Sequence, residues 1–354
     1  MTSSAHPEVT VQVIVPARNE EDCLGRCLES LVSQQGIDFA VTVVDDNSTD
    51  RTYEIAASFP GVRVVRAPEP GPGVSGKCNA LIAGARNASA KWLLFTDADT
   101  YHYPGSLVRA VREAEERGVD LLSYSPEQET GSLAEEALLP VVFAELVRKY
   151  SPERISDPAD PAVAANGQYI LLRRVAYEEL GGHCAIEANI LEDIELARLF
   201  KVSGHKIWFR YGAGLVRTRM YRSFKAMVEG WTKNLVLLFP NPRRLAVLRG
   251  CEFVGIIGLP VAGITLMSGG RTAIGLALMS SGILLYANFL RRIRRAHFPW
   301  RANLLSLFGL PLFVLLLARS YIHSSVRGAV QWKGRKYSYS EPKSASASSI
   351  NQSR

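Results

Sequence analysis

The sequence predicts an α/β domain built on a mixed, mainly parallel sheet, followed by apolar helices at the C-terminal end. Short apolar runs alternate with helical segments over residues 11–100, which is the pattern of parallel strands covered by helices on both faces. Polar residues gather directly after these runs, where a parallel sheet has its ligand crevice. Three long runs without charge after residue 250 predict the C-terminal helices.

The first hundred residues supply four strands and three helices. Val and Ile dominate the strands, and leucines at helical spacing (Leu24, Leu28 and Leu31) define the apolar face of the first helix. A loop rich in Gly and Pro separates the third strand from the third helix. The predicted strands are Val11–Pro16, Phe39–Val44, Val62–Arg66 and Trp92–Thr96; the predicted helices are Glu20–Val32, Asp50–Ser58 and Lys77–Asn87.

Beyond residue 100 the same alternation continues at less regular spacing. Pro104 opens a helix that Gly118 follows, in the usual asymmetry of helix ends. The segment Tyr150–Asn166 is rich in Pro and Asp and predicts a loop. The further predicted helices are Pro104–Arg117, Leu133–Lys149, Leu191–Val202 and Ser223–Phe239; the further predicted strands are Leu121–Ser125, Gln168–Leu172 and Lys206–Tyr211.

Charge is divided unevenly along the chain. The net charge of +7 would suit a protein that binds nucleic acid or an anionic surface. However, residues 1–240 hold 25 Lys and Arg against 32 Asp and Glu, whereas residues 241–354 hold 16 against 2. The basic excess therefore belongs to the last third alone, and we expect no nucleic-acid partner. An apolar fraction of 47% excludes a disordered chain.

The last third predicts membrane attachment. Its charge-free runs are Phe253–Met267, Ala273–Leu290 and Asn303–Ala318, each at the lower limit of a membrane span. Arginine clusters between the runs favour membrane hairpins, and buried helices of a soluble domain are the alternative. The predicted organisation is a catalytic domain over 1–240, a membrane region of two or three helices over 241–322, and a basic, partly disordered tail over 323–354.

Asp97 and Asp99 end the fourth predicted strand. Side chains two residues apart point to the same side of an extended chain, so both carboxylates can converge on one point. Two carboxylates with open positions for phosphate oxygens and water suit Mg²⁺ or Mn²⁺ held with a diphosphate. Taken alone the pair equally suits a helix cap or a turn.

Four motifs occur in order in the N-terminal half. They are V-I-V-P-A-R-N-E-E (13–21), V-V-D-D-N-S-T-D (43–50), G-K-C-N-A-L (76–81) and F-T-D-A-D (95–99). Together they resemble the family 2 inverting glycosyltransferases of the GT-A fold. The resemblance implies that Ala17, Glu20, Asp45 and Asp46 hold the nucleoside of a UDP-sugar. It also implies that Asp97 and Asp99 bind the metal, with Asp97 beside the donor. Lys77, which opens a helix after a Gly-rich loop, suits a phosphate contact.

Glu192 and Asp193 begin a later helix, in the sequence I-L-E-D-I-E-L-A. The pair resembles the Glu-Asp motif of the family, which implies that Asp193 is the general base. Inverting transfer needs one carboxylate to take the acceptor's proton while the anomeric carbon is attacked from the opposite face. The alternative is an acidic first turn that only complements the helix dipole.

Arg219 and Arg222 match two basic positions of a family motif that is usually completed by Trp. Ser223 stands at the position of that Trp, which argues against a polysaccharide synthase. The two arginines suit stabilisation of the departing diphosphate. This region and V-Q-W-K-G-R-K-Y (330–337) resemble the bacterial carotenoid-acid glycosyltransferases, and more distantly hopanoid-associated and ceramide glucosyltransferases.

The resemblance therefore predicts a metal-dependent hexosyltransferase that moves a sugar from a UDP-sugar to a lipid acceptor. The acceptor would be a carotenoid acid, a hopanoid or a sphingolipid-like molecule. The expected location is the cytoplasmic membrane, with the catalytic domain in the cytoplasm. The alternatives are a non-catalytic membrane scaffold, a polysaccharide or polyprenyl-phosphate sugar transferase, and a nucleotidyltransferase.

Overall fold

The computed structural model describes residues 9–187, 189, 191–327, 329–332 and 335–338. Within these residues twelve strands form three sheets. The strands are β1 (Val11–Ala17), β2 (Phe39–Asp45), β3 (Val62–Arg66), β4 (Trp92–Phe95), β5 (Thr100–His102), β6 (Leu121–Ser125), β7 (Glu127–Gln128), β8 (Ile170–Arg173), β9 (Ile207–Tyr211), β10 (Val216–Thr218), β11 (Ala329–Trp332) and β12 (Arg335–Ser338).

Twelve α-helices are present in the same described residues. They are α1 (Leu24–Val32), α2 (Thr52–Ala57), α3 (Gly76–Ala85), α4 (Ser106–Arg117), α5 (Leu133–Lys149), α6 (Pro152–Ser156), α7 (Arg174–Glu179), α8 (Glu192–Val202), α9 (Phe224–Leu238), α10 (Pro242–Ser268), α11 (Thr272–Ile293) and α12 (Trp300–Arg327).

The main sheet has seven strands in the order β3-β2-β1-β4-β8-β6-β9. All neighbours are parallel except β8, which runs antiparallel to both β4 and β6. The carboxyl ends of β1, β2 and β4 therefore lie at one edge. Because β8 is reversed and Ile170 pairs with Phe95, the residues just before β8 lie beside those just after β4. This reversal brings Gly167 next to the loop that holds Asp97.

The mixed, mainly parallel sheet predicted from the sequence is confirmed. Two local expectations are wrong, and one sheet was missed. Helix α1 begins at Leu24 rather than Glu20, since residues 21–23 form a turn. The predicted loop 150–166 contains the short helix α6. A second sheet, β5-β10-β7, was not predicted.

The C-terminal part contains the three predicted apolar helices. Helices α10, α11 and α12 are long and apolar enough to cross a membrane. Helix α12 runs to Arg327, past the predicted boundary at residue 322, and the β11–β12 hairpin follows it. The serine-rich end predicted to be disordered, after residue 339, lies outside the described residues.

One apolar core joins the sheet domain to these helices. Phe143 of α5 and Trp231 of α9 belong to the same buried cluster as Phe289 of α11 and Phe313 of α12. Gly309 lies where α12 comes closest to α5, with no room for a side chain beside the backbone of Ala137. Helices α5 and α9 are therefore covered by the apolar C-terminal helices.

A buried ion-pair network lies at the same junction. Glu145 of α5, which is fully buried, lies 2.9 Å from the Nε of Arg249 in α10 and 3.4 Å from that of Arg292 in α11. Glu252 bridges the same two arginines at 2.7 Å. Removing charges from water is costly unless they are paired, so this network fixes α5 in one position against α10 and α11.

Candidate active site

A cavity of about 630 Å³ opens at the carboxyl edge of the main sheet. Its wall includes ten of the eleven residues predicted for the site: Ala17, Glu20, Asp46, Lys77, Asp97, Asp99, Glu192, Asp193, Arg219 and Arg222. Asp45 is the exception. It is 3% exposed and does not line the cavity. Its carboxylate instead accepts a hydrogen bond from the Ser48 backbone N–H at 3.3 Å, so Asp45 holds the turn that presents Asp46.

The turn after β1 is fixed against the turn after β2. The backbone N–H of Asp46 donates to the carbonyl of Ala17 at 2.8 Å. The guanidinium of Arg18 donates to the carbonyl of Asp46 at 2.7 Å. Asn19 adopts a left-handed conformation with φ 52°, which asparagine tolerates better than most residues. These contacts place Ala17, Glu20 and Asp46 on one end of the cavity wall.

Lys77 lies at the centre of the acidic part of the cavity. Ser75 caps α3 by accepting from the Cys78 N–H at 3.1 Å, so Lys77 lies in the first helical turn. Its Nζ is 2.8 Å from Asp97 Oδ1 and 2.8 Å from Glu192 Oε1. Burial opposes the charge of Lys77, but the two carboxylates outweigh that effect and raise its pKa. Lys77 therefore remains a cation between two acids.

Asp193 is held in a fixed orientation by backbone donors. The N–H of Gly167 donates to its Oδ2 at 3.0 Å, and the N–H of Ile194 donates to its Oδ1 at 2.8 Å. Burial and the neighbouring Glu192 carboxylate raise the pKa of Asp193 to about 6, against the opposing effect of Lys77. A carboxylate with a pKa near the working pH is suited to general-base catalysis. Glu192 differs, because Lys77 lowers its pKa in spite of burial.

Asp97 and Asp99 present the hard oxygen atoms that Mg²⁺ and Mn²⁺ prefer. Both line the cavity, and burial raises the pKa of Asp97 against the opposing charge of Lys77. Among the described residues there is no group of three His, Cys, Asp or Glu side chains that could hold a metal ion. The two carboxylates thus fit a cation that takes its other ligands from a bound diphosphate and water.

Arg219 and Arg222 reach the cavity from the segment before α9. An Nη of Arg219 lies 3.4 Å from Glu135 Oε1. The Glu135 side chain also accepts a hydrogen bond from the Ser132 hydroxyl at the start of α5. Ser223, which follows Arg222, is the N-cap of α9 and accepts from the Ala226 N–H at 3.1 Å. The serine therefore has a local structural role at the start of α9.

Helix α9 adds cavity residues that were not assigned to the site from the sequence. Trp231, Lys233 and Asn234 line the wall. Burial lowers the pKa of Lys233, with Glu192 opposing that shift. The indole Nε1 of Trp231 and the Oδ1 of Asn234 are buried without a hydrogen-bond partner among the described residues. The sequence G-W-T-K-N (230–234), in which a lysine and an asparagine follow a tryptophan, is the signal that could have assigned them to the site.

Comparison with known proteins shows which family this chain resembles. Residues 12–181 match the family model described as Glycosyl transferase family 2. The 4,4'-diaponeurosporenoate glycosyltransferase of Staphylococcus haemolyticus (strain JCSC1435) is 29% identical over 343 residues, which cover 93% of this chain and 88% of the relative. The protein of the same name from Staphylococcus aureus (strain USA300) is 28% identical over 347 residues, with the same coverage.

A solved structure shares the fold. The mannosyltransferase from Pyrobaculum calidifontis in complex with GDP-Man and Mn2+ superimposes with a TM-score of 0.52 and 17% sequence identity. The match covers 91% of this chain and 88% of that chain. The GT-A fold predicted from the sequence is thereby confirmed, as are the three apolar helices that follow it.

Proposed function

We propose that this glycosyltransferase moves a sugar from a UDP-sugar to a lipid acceptor at a membrane. Its residues 12–181 match the model of Glycosyl transferase family 2. One observation carries the proposal: a single cavity joins a cluster of carboxylates around Lys77 to apolar side chains of α5 and to the turn between the apolar helices α11 and α12. Such a cavity suits a polar donor at one end and an apolar acceptor at the other.

The donor end suits a nucleotide diphosphate. We assign the nucleoside to Ala17, Glu20 and Asp46, and the diphosphate to Lys77. A uridine nucleotide follows from the resemblance of the N-terminal motifs. The mannosyltransferase that shares the fold was solved with GDP-Man, so a nucleotide sugar is the common element and uridine is the specific proposal.

Asp97 and Asp99 would hold Mg²⁺ or Mn²⁺ together with the diphosphate. A divalent cation there would neutralise charge that develops on the leaving phosphate. Arg219 and Arg222, which line the same cavity, would add hydrogen bonds to the same group. These charges lower the barrier because they are already oriented before the reaction starts.

Asp193 would act as the general base. The acceptor oxygen attacks the anomeric carbon and the bond from that carbon to the diphosphate oxygen breaks. Asp193 takes the proton of an acceptor that arrives as a hydroxyl or as an un-ionised carboxyl group. The Gly167 N–H keeps the carboxylate oriented, and Glu192 raises its proton affinity. Attack from the face opposite to the leaving group inverts the anomeric centre.

The lipid acceptor is supported by two independent features. The relatives with similar sequences are named as diaponeurosporenoate glycosyltransferases, which points to an apolar acid as acceptor. The three apolar helices suggest membrane association. Arginine clusters at the ends of these helices favour the cytoplasmic face, so we place the enzyme in the cytoplasmic membrane with its sheet domain in the cytoplasm.

The test uses the full chain in phospholipid nanodiscs with radiolabelled UDP-glucose or UDP-N-acetylglucosamine, a polyene acid or a bacterial lipid extract, and either MnCl2 or EDTA. We expect label to enter the organic phase only with the metal present. No metal-dependent turnover with any UDP-sugar would favour the scaffold alternative. Label in a polymer, or in a product that mild acid releases from a polyprenyl phosphate, would favour the other transferase alternatives.

A further inference from the structure

Part of the cavity wall is apolar. Helix α5 contributes Phe143, Leu146 and Val147, and α9 contributes Leu238 at its end. Ala296 and His297 complete this part of the wall. These six residues are called the apolar wall below.

Two of its residues come from the turn between α11 and α12. His297 has φ 61° and stacks on Tyr211, the last residue of β9, with ring centroids 4.3 Å apart and planes within 10°. The neighbouring Phe298 is 8% exposed and packs edge-on against Phe143 at 5.8 Å. The turn between two apolar helices is therefore fixed against the sheet domain, and it forms part of the cavity rather than a free connection.

The apolar wall begins beside the proposed base. Burial raises the pKa of Tyr150, at the end of α5, to about 12. The charge of the Asp193 carboxylate adds to this shift. The Tyr150 hydroxyl donates to the carbonyl of Leu238 at 3.3 Å, and Lys149 donates to the same carbonyl. These bonds join the end of α5 to the end of α9, and Tyr150 and Asp193 line the same cavity.

We propose that the apolar wall binds the hydrocarbon chain of the acceptor immediately next to its reacting group. The inference rests on the proposed function and specifies which residues hold the acceptor. The acidic end of the cavity already suits the nucleotide, and an exposed apolar surface next to the base gains free energy only when an apolar group covers it. The wall adjoins the buried cluster that α5 shares with α12, so the proposed binding surface lies beside the helices that are expected in the membrane.

A binding experiment tests the wall without relying on transfer. The full chain in nanodiscs is irradiated with a long-chain fatty acid that carries a terminal diazirine, and the cross-linked peptides are mapped by mass spectrometry. We expect adducts in residues 143–150 and 296–298, in addition to the outer faces of α10 and α11. Adducts confined to those outer faces would overturn the proposal.

A substitution that fills the wall gives a second test. We expect Val147→Phe to remove the adducts at 143–150 and to raise the KM for retinoic acid roughly tenfold, the effect of losing about two buried methylenes. The KM for sorbic acid, which is much shorter, and the Kd of UDP should change little. The matched control is Val175→Phe on the exposed surface of α7, where the side chain is 56% exposed.

The outcomes separate this inference from the proposed function. Adducts at the wall without transfer from any UDP-sugar would leave the lipid site standing and overturn the function. Transfer to lipid with unchanged KM values in Val147→Phe, and no adducts at the wall, would overturn the lipid site and leave the function standing. Retained UDP binding in each variant shows that the protein is folded.

Discussion

The sheet domain and the C-terminal helices are both rich in apolar residues, but they bury them differently. In the sheet domain, large side chains such as Trp92 and Phe200 are fully enclosed. In α10 and α11, Val254 and Leu284 remain 66% and 63% exposed. The sheet domain therefore buries its large apolar side chains in its own core. The outer faces of α10 and α11 leave theirs exposed and need an apolar environment to cover them. The two regions share a core where α5 and α9 meet the C-terminal helices.

The largest effect should come from a change confined to the sheet domain. We expect Asp193→Asn to lower kcat at least a hundredfold, since general-base catalysis contributes about 10²–10⁴. The fold should be retained, because the pKa of Asp193 is raised in the folded state. The ionised form thus costs stability at pH 7, and that cost disappears in the variant. Rate and UDP affinity are measured together.

The matched control for this prediction is Glu195→Gln on the same helix, whose carboxylate pairs with Arg198 at 3.3 Å. It should leave kcat unchanged. Transfer that survives in Asp193→Asn would show that another group takes the proton, or that the acceptor arrives already ionised.

The junction between the two regions should be the next most sensitive place. Glu145→Gln leaves Arg249 and Arg292 with Glu252 as their remaining carboxylate, and breaking a buried pair costs about 3–5 kcal/mol. We expect a lower melting temperature in detergent and a lower yield of folded protein. Glu136→Gln, also on α5, removes a pair with the 63% exposed Arg301 and should cost about 0–1 kcal/mol. Equal effects of the two substitutions would contradict a special role for the buried network.

The pH dependence of transfer should follow Asp193. Its carboxylate must be ionised to accept a proton, so kcat/KM should fall as the pH drops below about 6 and should be about tenfold lower one unit further down. The charged and titratable groups around it are Glu192, Lys77, Lys233 and Tyr150. UDP binding over the same range controls for loss of the donor site. An acidic limb centred near pH 4 would indicate a base with an ordinary carboxylate pKa.

The smallest effect on activity should come from alanine substitutions at two glycines, one in the sheet domain and one in the C-terminal helices. A Cβ at Gly167 would lie 2.9 Å from Lys77 Nζ and 3.6 Å from Glu192 Oε1. We expect Gly167→Ala to displace the end of Lys77 and to lower kcat/KM by a few-fold, without unfolding the protein. Gly250→Ala in α10 meets nothing within 4 Å and should leave activity unchanged while favouring the helix. Loss of activity in Gly250→Ala would mean that α10 contributes to the site.

Local patterns predicted most of the main sheet. Val62–Arg66 and Leu121–Ser125 are strands at the predicted bounds, because each is a run of residues that favour extended structure. The second sheet could not be predicted in the same way. Thr100–His102 and Val216–Thr218 are three residues each, and they pair only because the fold brings distant segments together. Periodicity carries no information about such pairing.

The candidate site also contains residues that local sequence predicts and residues that only the fold brings together. Lys77, Asp97 and Asp193 stand in recognisable motifs, and the structure brings all three to one cavity. Asp45 stands in an equally good motif, but its side chain turns toward the Ser48 N–H. The role of Gly167 depends on the reversed direction of β8, and that of His297 on a stacking contact with Tyr211. Neither feature has a signal in the local sequence.

The turn between α11 and α12 has a practical consequence for anyone wishing to make a soluble enzyme from this chain. A fragment ending at residue 240 would keep every carboxylate of the site but would lose Ala296 and His297. It would also expose the face of α5 that α12 covers. Water would then have free access to the bound donor, and water competes with the acceptor wherever it can reach the reacting carbon. Such a fragment should hydrolyse the sugar donor instead of transferring the sugar to the acceptor. Shortening the protein would therefore change its product.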